Sequence, residues 1–364
     1  MRKRSFAMLV AGTALAVIAA LAIQPSGHQA ALKGSGKVVA PALAKNINEV
    51  TSIAVARKAG TITLVRGTAG WGLKEKGGYP VDPGMVKALL VGLAELKTTE
   101  PKTNRPKLYD RLQVEDLAKK EAKSRLVTVT GAGGKTLAKL IIGKIKSAPG
   151  GVGKGSAYFR RPGEKRAWQA EGTLTFEDDV VKWLKKEIAD IRKTRIRSFT
   201  VTHPDGKTVA VARDKLDGKM LLKTTPLPEK MVPKTDGTLG RLADTLEKLE
   251  LEDVQPASKV DFKKNLVATT VMRTFDGLVV TIRVAKAGKD KYWVAFEPSV
   301  DTKDAIAPTD KAKKKAELKT AGDVAKEAKA LKARLGGWAY KVSSRDLGYL
   351  RTRLKDLIQK DKTS

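Results

Sequence analysis

The sequence predicts an α+β fold: two tandem related lobes of mainly antiparallel sheet with packed helices, after one N-terminal transmembrane helix. Three features carry this expectation. They are an 18-residue stretch without a charge, alternating apolar strands joined by short glycine-containing links, and an apolar pattern that recurs in order along the chain. With 41% apolar and 30% charged residues over 364 positions, the chain can bury a sizeable core.

Residues 1–23 read as a membrane anchor or signal segment. Arg2, Lys3 and Arg4 precede Phe6–Ile23, and 18 residues at about 1.5 Å each span about 27 Å, enough for a bilayer core. That length favours an uncleaved anchor, while Ala20-Leu21-Ala22 offers the small-x-small pattern that a signal peptidase cuts. Either way, the basic flank keeps the amino end in the cytoplasm and sends the body across the inner (cytoplasmic) membrane to the periplasmic or extracytoplasmic side. Residues 24–48, rich in Gly, Ala, Ser and Lys, read as a tether.

The body divides into a first repeat over 49–194 and a second over 195–364. Ile62, Leu64 and Arg66 recur as Val209, Val211 and Arg213, at an offset of 147. Val86, Leu89, Leu93 and Leu96 recur as Leu239, Leu242, Leu246 and Leu249, at an offset of 153. Trp168, Val180, Leu184 and Ile188 recur as Trp338, Leu350, Leu354 and Ile358, at an offset of 170. An offset that only grows fits one unit copied and then lengthened by loop insertions; two unrelated α+β domains are the alternative.

Within the first repeat, Ser52–Arg57 and Thr61–Val65 form a hairpin about Lys58-Ala59-Gly60, and Trp71-Gly72-Leu73 adds a strand. A helix opens at Asp82-Pro83 with Met85, Val86, Leu89, Leu90, Leu93 and Leu96 on one face. Arg125–Thr130, Leu137–Ile145, Ala157–Arg161 and Ala167–Ala170 read as strands, and Glu177–Ile191 as a closing helix. The second repeat is expected to match, with helices over Leu239–Leu249 and Leu347–Ile358 and strands over Leu266–Thr274, Leu278–Val284 and Tyr292–Phe296. Its insertion at about 302–335 is Lys-rich and helical, with a narrow stripe of Val324, Ala328, Leu331 and Leu335 expected at the surface.

Trp71-Gly72-Leu73, Tyr79-Pro80-Val81-Asp82 before a leucine helix, Lys107-Leu108-Tyr109-Asp110-Arg111-Leu112, Leu140-Ile141-Ile142-Gly143, Ser156-Ala157-Tyr158-Phe159-Arg160 and Trp168 follow one another in order. This succession resembles the domain-of-unknown-function 4340 (DUF4340) family over roughly residues 5–300. The resemblance implies anchoring by one amino-terminal helix and association with auxiliary components of envelope ABC transport systems, gliding-motility ones included. It implies no enzymatic residue set. The chain departs from the family in its excess of lysine and at Leu112, where the family often has a Tyr-Gly-Leu turn.

Residue supply narrows the chemistry. No cysteine is present, which excludes disulfides, thiolate metal sites and a thiol nucleophile, and His28 and His203 are the whole imidazole complement. The glycines of Val129–Thr136 and Gly150–Ser156 miss the phosphate-loop spacing, so both read as turns or loops. His203 sits in His203-Pro204-Asp205-Gly206, a hairpin tip, and Glu177-Asp178-Asp179 suits the first turn of a helix without a metal. Trp71, Trp168 and Trp338 read as core anchors. No catalytic residue, cofactor or metal is expected. A hydrolase using two carboxylates remains open in principle, with no pair to choose.

Net charge is the strongest functional signal. Lys and Arg number 71 against 39 Asp and Glu, a formal +32. Arg160, Arg161, Lys165 and Arg166 form one basic segment, and Lys185, Lys186, Arg192, Lys193, Arg195 and Arg197 another. Together they are the candidate polyanion-binding residues, set against lysines that merely keep the surface soluble. The family resemblance implies a non-catalytic accessory or scaffold of a membrane, ABC-type transport complex, with transporter subunits as partners. The alternative is a binding module for anionic envelope polymers or lipid headgroups. Nucleic acid is disfavoured, because no RNA-binding aromatic motif, zinc finger or reading helix accompanies the charge.

Overall fold

The computed structural model describes residues 35–148, 153–306, 309 and 316–361. The expected anchor over Phe6–Ile23, His28 and the lysine run Lys311–Lys315 lie outside these residues. Among the described residues no helix is long and apolar enough to cross a membrane.

In chain order the first elements are α1 (Pro41–Lys45), β1 (Val50–Arg57), β2 (Gly60–Gly67), β3 (Gly70–Leu73), β4 (Tyr79–Pro80), α2 (Pro83–Glu95), β5 (Lys97–Pro101) and α3 (Tyr109–Leu112). Then follow β6 (Arg125–Gly131), β7 (Thr136–Lys146), β8 (Ser156–Arg160), β9 (Ala167–Glu171) and β10 (Glu187–Ala189). Next come β11 (Ile196–Thr202), β12 (Thr208–Ala212), β13 (Leu221–Leu222), β14 (Met231–Pro233), α4 (Asp236–Gly240), β15 (Leu249–Glu250) and β16 (Asp253–Pro256). The chain continues through β17 (Leu266–Thr274), β18 (Leu278–Lys286), β19 (Tyr292–Val300), α5 (Ala321–Leu335), β20 (Trp338–Lys341), α6 (Ser344–Leu350), α7 (Leu354–Leu357) and β21 (Ile358–Lys360). Antiparallel sheet dominates, with helices interspersed, as an α+β chain requires.

Two compact units form. One comprises the residues up to Trp71 together with Pro83–Asp178, and the other Gly72–Asp82 together with the chain from Asp179 onward.

In the first unit the sheet runs β2-β1-β6-β7-β8-β9-β5. Alternation sets its register: Ile53 lies across from Leu64 and Val129, and Val55 across from Ile62 and Val127. All six side chains are buried, as period-two apolar strands demand. α2 buries Val86, Leu89 and Leu93, and Gly92 lets it approach the chain closely, since a Cβ there would lie 2.4 Å from the Thr173 carbonyl oxygen. Tyr109, Val114, Ile141 and Ala167 form a further buried cluster.

In the second unit the sheet runs β13-β12-β11-β17-β18-β19-β20-β16. Seven strands of the first sheet, β2-β1-β6-β7-β8-β9-β5, and seven of the second, β12-β11-β17-β18-β19-β20-β16, thus occur in the same order. Phe199, Met272, Val280, Ile282, Val294 and Tyr340 lie in its core, and Tyr79 sets its ring edge-on to Trp338 at 5.0 Å. α5, capped by the Thr320 hydroxyl at the Asp323 N–H, buries Val324, Ala328, Leu331 and Leu335. The stripe expected at the surface is therefore part of the core. It also brings Glu327 to Arg195, whose guanidinium lies 2.9 Å from that carboxylate and 3.0 Å from Asp276, with Lys319 on the other Glu327 oxygen at 2.9 Å.

The structure corrects three expected helices. Glu177–Ile191 is a single 3-10 turn, Val180–Trp183, capped by Asp179 and followed by strand β10. Main-chain bonds from Asp82 to Trp183 and from Lys185 to Pro80 hold the backbone extended, so the i to i−4 bonds of a helix are not made. Leu239–Leu249 is the short α4 followed by a 3-10 turn, Arg241–Leu246, ending where Lys248 adopts φ +51°. Gly237 and Gly240 weaken that helix from within. Leu347–Ile358 is broken between α6 and α7 and ends as a strand. The tryptophans expected as core anchors, Trp71, Trp168 and Trp338, are only half-buried; the fully buried one is Trp183.

Candidate functional site

The break between α6 and α7 builds a basic cleft in the second unit. Ser343 caps α6 by accepting from the Asp346 N–H, and the helix stops as the Thr352 hydroxyl donates to the Gly348 carbonyl at 3.2 Å. One residue later the Arg353 N–H donates to the Asp356 carboxylate at 2.9 Å and starts α7. The intervening main chain is pinned from outside. His203, at the turn between β11 and β12 and 4% exposed, places Nε2 3.1 Å from the Thr352 carbonyl oxygen and Nδ1 3.3 Å from that of Val267.

Arg345, Arg351, Arg353 and Lys355 from this segment and Arg241 from the 3-10 turn line a cleft of about 700 Å³. Asp356 is the single carboxylate in its lining. Arg353 donates to Asp205 at 2.8 Å, Arg351 rests over the Tyr292 ring at 4.6 Å, Arg345 donates to Asp346 at 3.1 Å, and Arg241 donates to the Thr238 hydroxyl at 3.3 Å. The Arg353 hydrogen bond is the main cause holding the Asp205 carboxyl below the usual carboxylate range. Arg241, Arg345 and Lys355 are exposed. Five cations gather there, Arg345 and Arg353 each already serving a carboxylate outside the lining, and guanidinium forks suit phosphate and carboxylate geometry. Main-chain carbonyl oxygens thus lie within hydrogen-bonding distance of both ring nitrogens of His203.

The two basic segments singled out in the sequence belong to different units. Arg160 is 3% exposed and donates to Asp116 at 2.7 Å and to the carbonyls of Val114 and Glu164. Arg195 is 2% exposed inside its carboxylate pair. Both leave the solvent-facing set. Arg161, Arg166 and Arg197 donate to the carbonyls of Val39, Lys102 and Asp304. Arg192 faces Glu247 and Glu317, and Lys193 faces Asp244. Lys165, Lys185 and Lys186 are exposed.

Asp178 of the acidic triplet pairs with Arg57 and Arg125, and Asp179 serves as a cap. Among the described residues no three His, Asp or Glu side chains gather as a metal site would require. The cleft is not legible in the sequence because Arg241 lies about a hundred residues before the other four cations, on a different short element. The recurrence of Arg345, Arg351, Arg353 and Lys355 near the end of the chain is the signal that marks them.

A family model described as "Domain of unknown function (DUF4340)" matches residues 71–265, from β3 to the residue before β17. No curated protein matches the chain.

Proposed function

The chain belongs to the DUF4340 family, and from that premise we propose a membrane-tethered, non-catalytic accessory protein that works by holding an anionic partner. Phosphate-bearing lipid headgroups and anionic envelope polymers share the chemistry the cleft would recognise. The observation that carries this reading is the cleft itself, which gathers Arg241, Arg345, Arg351, Arg353 and Lys355 in one lining. The net charge of +32 supports it by drawing polyanions toward the protein. The apolar Phe6–Ile23 segment supports an anchored, extracytoplasmic location, where a transport complex would supply the partner.

The reading extends to origin. We infer that the two units are copies of one ancestral unit, supported by the shared order of seven strands and by the ordered recurrence that places Trp168 in β9 and Trp338 in β20. An experimental structure in which β1–β2–β6–β7 superimposes on β11–β12–β17–β18 bears this out; sheets that fail to superimpose in that order contradict it.

Hydrogen exchange of the full chain tests the binding role, with bilayer discs of phosphatidylglycerol compared with discs of phosphatidylcholine and with soluble polyphosphate. Protection of 238–242 and 344–357 by phosphatidylglycerol and polyphosphate alike is the expected result. Protection by the lipid alone narrows the partner to a headgroup. No protection of these segments by either rejects the role.

A further inference from the structure

The basic lining of the second unit does not end at the cleft. Arg241 also lines a second cavity of about 370 Å³, bordered by the turn before β11, the end of β12 with the loop after it, and α4. Gly237 and Gly240 line this cavity, whereas Thr238 and Leu242 line the cleft. The exposed Arg241 side chain therefore stands where the two meet.

The second cavity is basic in its own right. Lys193 and Lys219, both exposed, line it together with Arg213. Arg213 is half-buried and donates to the main-chain oxygens of Ile196 at 2.8 Å, Lys193 at 2.6 Å and Thr194 at 2.9 Å, with its guanidinium over the Phe275 ring at 5.5 Å. None of those partners is a carboxylate, so they fix the side chain without cancelling its charge. At Gly237 and Gly240 an added Cβ would meet nothing within 4 Å, so part of the wall is bare main chain that a ligand can approach closely.

With Arg241 shared, the two linings hold eight cations. Against them stand three lining carboxylates: Asp236 paired with Lys219 at 3.0 Å, Asp244 facing Lys193 at 3.4 Å, and Asp356. The Asp205 and Asp346 partners of Arg353 and Arg345 lie outside both linings, and cations remain in excess even when these are counted. A single headgroup or a free phosphate needs only one such cavity. Two that adjoin at a common arginine suit a ligand carrying anionic groups in succession.

The geometry points to a linear polyanion as the partner, its phosphate-type groups laid from the α6–α7 cleft across Arg241 to Lys193, Arg213 and Lys219. This assignment rests on the anion-holding role and narrows its partner to a polymer. Nucleic acid fits less well, because bases bind by stacking on rings and Tyr349 is the only Phe, Tyr or Trp in either lining.

Calorimetric titration of the full chain in mild detergent tests this by comparing tripolyphosphate with long-chain polyphosphate at equal concentrations of phosphate groups. The long chain is expected to bind at least about tenfold more tightly and to lose affinity more steeply with salt, since that slope scales with the number of phosphates contacted. Lys193→Gln/Lys219→Gln is expected to lower long-chain affinity about tenfold, toward that of tripolyphosphate. Equal affinity and equal salt slope for the two ligands overturns the track and leaves the cleft standing, as does a folded double variant with wild-type affinity for the long chain. Tighter binding of an oligodeoxythymidylate matched in phosphate number overturns it in favour of nucleic acid. Absence of binding to either polyphosphate rejects the anion-holding role itself, and the track with it. If the double variant fails to fold, the length and salt dependence of the wild-type chain decides alone.

Discussion

His203 Nε2 lies 3.1 Å from the Thr352 main-chain oxygen, so a hairpin tip between β11 and β12 holds the break between α6 and α7 in place. The residues on either side of that oxygen are Arg351 and Arg353, both in the cleft lining. Position and charge are thereby coupled: the cleft depends on an imidazole that braces the main chain beside it.

His203→Ala leaves the Thr352 carbonyl without its buried donor, at a cost of about 1–3 kcal/mol. Thermal melts are expected to register that loss, with weaker polyphosphate binding alongside it. His203→Gln retains a donor and should recover part of both. An alanine variant with wild-type melting and binding would remove His203 from the account.

Arg195→Met removes the guanidinium from the Asp276 carboxylate, whose side chain is 0% exposed and which then keeps the Thr274 hydroxyl and the Lys319 N–H but no cation beside it. Breaking a buried ion pair from one side costs about 3–5 kcal/mol, which lowers Tm by on the order of 10 °C for a unit of this size. Calorimetry reads this directly. A shift of a degree or two would mean that the pair is not buried in solution.

Acid dependence follows from the same cluster. Burial pushes the Glu327 carboxyl up, but hydrogen bonds from Arg195 and Lys319 outweigh it and hold the group below the usual carboxylate range. A depressed value in the folded state stabilises the protein above the unfolded pKa, near 4.3, and that stabilisation is lost as pH falls through the folded value. Wild-type Tm should therefore drop more steeply below about pH 4 than that of Glu327→Gln. Parallel curves for the two proteins would contradict the assignment.

Gly143→Ala places a Cβ 2.1 Å from the Leu112 carbonyl oxygen and 2.8 Å from Val114. Overpacking of this kind costs about 1–3 kcal/mol and displaces the turn beside Tyr109. Gly237→Ala is the contrasting change: its added carbon meets nothing within 4 Å, and alanine favours the short α4. Melting curves should separate the two, the first lowered and the second unchanged or raised.

The strands were legible because alternation is a local property. Ile53 and Val55 in β1 and Ile62 and Leu64 in β2 each declare their buried face within a few residues. The closing helices were not, because distant partners decide them: Pro80 and Asp82 claim the backbone around Trp183, and His203 claims Thr352. The same holds for charge. Arg160 and Arg195 look like surface cations in sequence, and only folding reveals Asp116 beside the first and Asp276 with Glu327 beside the second.

The decisive measurement is a polyphosphate titration of the full chain at low and high ionic strength, for the wild type and for Arg351→Gln/Arg353→Gln/Lys355→Gln. Saturable wild-type binding that fades as salt shortens the screening length from about 10 Å at 0.1 M to about 3 Å at 1 M, with at least about tenfold loss in the folded triple variant, is the expected result. Binding that ignores salt, or a triple variant with wild-type affinity, means that the cleft does not hold anions.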